Sequence, residues 1–136
     1  CDGEGVSKLM TVDVSGAEDD AAARRIGLAI GNSPLVKTAV AGADANWGRI
    51  VMAVGKSGER VDRDRLSIKI GGHKVARRGR VVPGYDEAPV ARHMQGQRIH
   101  IAVDVGAASG KAKGRTRIWA SDLTHGYISI NADYRS

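Results

Sequence analysis

The sequence predicts an α+β fold: one layered domain over residues 1–136, with a mixed or antiparallel sheet packed by helices. Three observations carry this. Apolar and polar residues alternate with period two in Lys8 to Val14, Leu66 to Ile70 and Arg98 to Val105, which is the signature of half-buried strands. Between the first two of these segments lie three stretches with helical spacing. No repeat or low-complexity linker divides the chain.

The first strand sets Leu9, Thr11 and Asp13 against Met10, Val12 and Val14, and Ser15-Gly16 reads as the turn that ends it. Asp19 and Asp20 then stand where carboxylates favour a helix N-terminus. The helix from Asp20 to Asn32 carries an apolar stripe of Ala23, Ile26, Ala29 and Ile30, and Ser33-Pro34 stops it or opens the next turn. Leu35 to Ala41 is a second short helix with Gly42 at its end. Asn46 caps a third through Trp47, Ile50, Val51 and Val54, which closes near Gly55.

Gly58 to Arg65 is charged and turn-like. Leu66 to Ile70 is a strand that Gly71-Gly72 folds back as a hairpin into His73 to Arg77. After the turn at Pro83-Gly84, a short helix over Asp86 to Gln95 accommodates Pro89 in its first turn. Arg98 to Val105 is the clearest strand. A small-residue basic loop, Gly106 to Gly114, leads to a strand at Thr116 to Ala120, and Tyr127, Ile130 and Tyr134 are spaced for a terminal helix capped by Asp122 or Thr124.

Of 136 residues, 42% are hydrophobic and 26% charged, which suits a soluble globular domain, and no apolar run approaches the ~20 residues of a membrane span. The single cysteine, Cys1, excludes an internal disulfide framework, and no basic-then-apolar start resembles a secretory signal. A cytoplasmic setting is expected. Because the chain opens on Cys1 rather than Met, it reads as a fragment. Eighteen glycines and no phenylalanine imply tight turns around a core of Val, Ile, Leu and Ala.

The net charge of +6 suits an anionic partner. Arg24-Arg25, Arg77-Arg78-Arg80 and Lys111-Lys113-Arg115-Arg117 are nevertheless interleaved with acids such as Asp13, Asp62 and Asp104, and no helix-turn-helix or aromatic-basic sheet accompanies them. They read as solvated surface; a basic nucleic-acid-binding domain is the rival.

Taken one at a time, the candidate site residues are unremarkable. Glu4 between two glycines is a loop acid, and Asn131 and Ser136 belong to a tail of the kind that frays. Lys37, in an Ala-rich helix, reads as a structural or interface lysine, and Trp47 and Trp119 as core aromatics. His73, His93, His100 and His125 lack paired metal-ligand spacing. Cys1 could serve as an N-terminal nucleophile, which makes a self-processed hydrolase the second rival.

Together, five segments change the reading. Asp2-Gly3-Glu4-Gly5, Ser33-Pro34-Leu35-Val36-Lys37-Thr38, Asn46-Trp47-Gly48-Arg49-Ile50, Ser121-Asp122-Leu123-Thr124 and Asn131-Ala132-Asp133-Tyr134-Arg135-Ser136 occur in the order found in the C-terminal part of the ornithine acetyltransferases (glutamate N-acetyltransferases) of arginine biosynthesis. The resemblance runs from Asp2 to Ser136. It implies an enzyme that moves acetyl from N2-acetyl-L-ornithine to L-glutamate through an acetyl-threonine intermediate, some members also accepting acetyl-CoA. It implies substrate-binding roles for Glu4, Asn131 and Ser136, no catalytic residue in this chain, and no metal or tightly bound cofactor. The nucleophilic threonine, freed by autoproteolysis, would lie upstream, and the partners would be the alpha chain and the rest of the beta chain in a heterotetramer of two alpha and two beta chains. The basic loop 106–114 departs from the family pattern in length and charge.

Overall fold

In the computed structural model, residues 8–107 and 114–121 are described in full and residues 128–130 as backbone. The chain forms β1 (Leu9–Ala17), α1 (Asp20–Gly31), α2 (Pro34–Ala41), α3 (Trp47–Lys56), a 3-10 turn at Arg63–Arg65, β2 (Ser67–Ile70), β3 (His73–Arg77), β4 (Arg80–Val81), α4 (Glu87–Met94), β5 (Arg98–Asp104), β6 (Gly114–Ser121) and β7 (Ile128–Ile130). The strands make one sheet in the order β4-β3-β2-β5-β1-β6-β7. β1 and β5 run parallel, and every other neighbouring pair is antiparallel, so the expected mixed sheet is present.

Alternation along the strands decides which side becomes core. Met10, Val12 and Val14 of β1, Ile99, Ile101 and Val103 of β5, and Ile118 and Ala120 of β6 are all buried, beneath Ile26 and Ile30 of α1, Ile50 and Val54 of α3, and Met94 of α4. Each fully buried Ile, Val or Met contributes roughly 1.5–3 kcal/mol over its exposed state, so this face dominates stability. α1 comes unusually close to β6: a Cβ at Gly27 would stand 2.5 Å from Ile118 Cδ1.

Local chemistry fixes the helix starts. Asp19, Ser33, Asn46 and Asp86 cap α1, α2, α3 and α4, their side-chain oxygens accepting from the backbone N–H of Ala22, Val36, Arg49 and Ala88.

Three expectations are corrected. β1 does not end at Ser15-Gly16; it continues to Ala17 through a register shift, because Gly16 adopts φ +70 while the Ser15 and Gly16 carbonyls still accept from Val105 and Ala107. The terminal helix gives way to β7 over Ile128–Ile130, where Ile-Ser-Ile alternation and the free edge of β6 outweigh the helical spacing of Tyr127, Ile130 and Tyr134. Trp119 is half-buried on the sheet face opposite the helices, because it falls in the odd register with Arg117, whereas Trp47 packs against the core as expected.

Candidate functional site

The sequence-predicted site residues Glu4, Asn131 and Ser136 lie outside the described residues, as do Cys1, His125, most of the basic loop and the Asp-Leu-Thr part of Ser121-Asp122-Leu123-Thr124. The described elements next to the first two in sequence are β1 and β7. β6 lies between β1 and β7, with Leu9 opposite Ser121, Val12 opposite Ile118, and Ile118 opposite Ile130. With strands ~4.8 Å apart and ~3.4 Å of rise per residue, Leu9 and Ile130 are about 14 Å apart. β1 and β7 run in the same direction, so the chain enters β1 at Leu9 and leaves β7 at Ile130.

Between these attachment points, the sheet face without helices carries a charged network. Asp13, side chain 27% exposed, accepts from Arg117 through a two-pronged contact, Nε to Oδ1 at 2.7 Å and Nη2 to Oδ2 at 3.0 Å. His100 Nε2 lies 2.7 Å from Asp13 Oδ2. Burial pushes the Asp13 carboxyl up, but the hydrogen bonds and charges of Arg117 and His100 together hold it below the usual carboxylate range. An ionised Asp13 can only accept, so His100 Nε2 carries the proton in this contact.

On the next side of the sheet, His93 Nε2 accepts the backbone N–H of His100 at 3.0 Å. This takes over where the β2–β5 ladder stops at Ile70 and Ile101. Burial, with His100 and His73 nearby, lowers the His93 pKa, which keeps Nε2 free to accept. Among the described residues no group of three or more His, Cys, Asp or Glu is placed to hold a metal ion. No described helix is long and apolar enough to cross a membrane.

The two central motifs of the resemblance turn out to touch. Ser33 and Asn46 are helix caps, and Arg49 Nη1 donates to the Leu35 carbonyl at 2.9 Å, fastening the start of α3 to the start of α2. Lys37, on α2, is 8% exposed. These segments therefore build scaffold, and the substrate contacts implied by the resemblance fall at the two ends of the sequence.

Sequence reasoning missed the Asp13, His100 and Arg117 network, reading Asp13 and Arg117 as scattered surface charge. The alternation of β1 placed Asp13 on the outer face, but only strand order supplies its partners.

The described residues thus form a mixed-sheet α+β domain with helices on one face and the Asp13, His100 and Arg117 network on the other. Over residues 1–136 the chain matches the family model described as the ArgJ family. It is 61% identical over 135 residues to the arginine biosynthesis bifunctional protein ArgJ of Zymomonas mobilis and 62% identical to that of Gluconobacter oxydans, in each case across 99% of this chain but only 32% and 31% of the relative. The structure of the arginine biosynthesis bifunctional protein ArgJ from Bacillus halodurans superposes with a TM-score of 0.77 at 37% identity, covering 93% of this chain and 57% of that one. This chain belongs to the ArgJ family. It spans about a third of the length of the curated relatives it matches.

Proposed function

We propose that this chain is the C-terminal substrate-binding part of an acetyltransferase of arginine biosynthesis that moves acetyl from N2-acetyl-L-ornithine to L-glutamate. The observation that carries the reading is the ArgJ-family match along all 136 residues, to relatives whose name places them in arginine biosynthesis. In this scheme an upstream threonine hydroxyl attacks the acetyl carbonyl. The amide bond breaks, ornithine leaves with the proton on its amine, and the amine of glutamate then attacks the acetyl ester and restores the hydroxyl. One pocket holds ornithine and glutamate in turn.

Within that pocket Glu4 pairs with a substrate ammonium, Asn131 supplies amide donor and acceptor, and Ser136 supplies a hydroxyl. The remaining parts are an alpha chain and the rest of the beta chain, assembled as two copies of each in the cytoplasm. Acetyl-CoA is a further donor in this reading.

The test is Glu4→Gln in the complete enzyme. Losing a charge-assisted hydrogen bond costs about 1.5–3 kcal/mol, so kcat/KM for N-acetylornithine should fall roughly tenfold to a hundredfold while autoproteolysis proceeds. Cleavage that fails with substrate use intact would assign Glu4 to processing instead.

A further inference from the structure

A cavity of about 500 Å³ opens at the carboxyl ends of the parallel strands β1 and β5, lined by Ser15, Gly16, Arg65, Asp104, Gly106, Gly114 and Arg115. A second of about 280 Å³ adjoins it, sharing Ser15 and Asp104 and extending over Lys69 and Lys74 on the helix-free face. None of these residues has a part in the acetyl-transfer reading.

Both arginines are held by their backbones while their guanidinium groups are left over. The stem of Arg65 lies against Gly106, where a Cβ would come within 2.5 Å of Arg65 Cβ; Gly106 itself adopts φ +66. The Arg115 N–H donates to Asp20 Oδ1 at 3.0 Å. Among the described residues neither guanidinium has an ion-pair partner.

The second cavity shows the same excess. Lys69 and Lys74 are direct register partners on β2 and β3. Like charges directly opposite one another destabilise a strand pair unless an anion lies between or over them. Against four cations the described lining holds one carboxylate, Asp104, whose Oδ1 is already engaged by the Gly106 N–H at 2.9 Å.

We propose that these two cavities form one groove that binds an elongated small-molecule polyanion. Arg65 and Arg115 grip one anionic group at the strand ends, and Lys69 and Lys74 hold a second on the sheet face. The planar guanidinium matches carboxylate and phosphate oxygens two at a time, whereas the lysines act as point charges. The site lies where open sheets with parallel strands commonly receive ligands, beyond the carboxyl ends, and its volume is that of a small-ligand pocket.

The test is titration calorimetry on the full-length protein with pyrophosphate, citrate and orthophosphate, with acetyl transfer assayed separately. Pyrophosphate or citrate should bind more tightly than orthophosphate, and the tighter of the two names the group as phosphate or carboxylate. Arg65→Gln with Arg115→Gln should weaken all three by more than about tenfold. Lys69→Gln with Lys74→Gln should remove the advantage of the longer ligands and leave orthophosphate unchanged. Unaltered affinities in the arginine variant, with an unaltered circular dichroism spectrum, would overturn the proposal. So would the absence of heat with any of the three at about 10 mM. Neither result bears on whether Glu4, Asn131 and Ser136 bind substrate.

Discussion

Gly27 sits in the middle of α1, where glycine costs a helix about 1 kcal/mol relative to alanine. Propensity alone therefore predicts that Gly27→Ala stabilises. The packing predicts the opposite. The new Cβ would stand 2.5 Å from Ile118 Cδ1, 3.2 Å from Ile118 Cγ1 and 3.3 Å from Thr116 Cγ2, against the ~3.5–4 Å of ordinary carbon contacts. Ile118 is completely buried and Thr116 is 4% exposed, so neither can swing into solvent. Overpacking of this kind costs about 1–3 kcal/mol, which after the helix gain leaves a net loss of about 1 kcal/mol. Ile118→Val removes Cδ1 at a separate cost of about 1 kcal/mol, and Gly27→Ala added to it should cost almost nothing. Hydrogen exchange of the α1 and β6 amides in the full-length protein reads this directly: about fivefold faster exchange for Gly27→Ala alone, and no further change when it is added to Ile118→Val. Slower exchange in Gly27→Ala would refute the close-contact reasoning.

Asp13→Asn should loosen the β1–β6 pair by about 1 kcal/mol, after allowance for solvent screening at the half-exposed Arg117. Because the folded Asp13 pKa lies below its unfolded value, that contribution is complete above the unfolded pKa and is lost as pH falls through the folded one. An acid titration of the two proteins should therefore converge below the ordinary carboxylate range and diverge above it. Deleting Arg135 and Ser136 from the complete enzyme should impair turnover far more than melting temperature, because a tail that closes a pocket positions reacting groups; equal activity would make the C-terminus a bystander. The 136-residue chain by itself should form no ornithine from N-acetylornithine, its nucleophile being upstream, and measurable product would sink that assignment.

Local chemistry was legible wherever a few neighbouring residues decide it. The alternation of Met10, Val12 and Val14 and of Ile99, Ile101 and Val103 gave two central strands with their inner faces, and Asp19, Asn46 and Asp86 marked helix starts. What failed depends on neighbours distant in sequence. Gly16 keeps β1 going because residues near 105 take up its carbonyls, and β7 forms because β6 offers an edge. Asp13 meets its partners across 87 and 104 positions, and Trp119 points away from the core because of a register that only pairing with β1 fixes. For Glu4, Asn131 and Ser136 the information came from the ordered set of motifs rather than from any local rule.

Strand β1 has neighbours made long after it: Leu9 pairs with Arg98 on one side and Ser121 on the other. At synthesis rates of about 5–20 residues per second, its apolar face waits several seconds on the ribosome before either flank exists. Helices α1 to α3 can shield Met10, Val12 and Val14 in that interval, but they cannot satisfy the strand's backbone. Closure of so long a loop makes the domain slow to assemble and nearly all-or-none, since no early portion of it contains a complete core. A chain stopped short of β5 would therefore present an unpaired hydrophobic strand, a species for chaperones and proteases to handle and not a smaller working version of the domain.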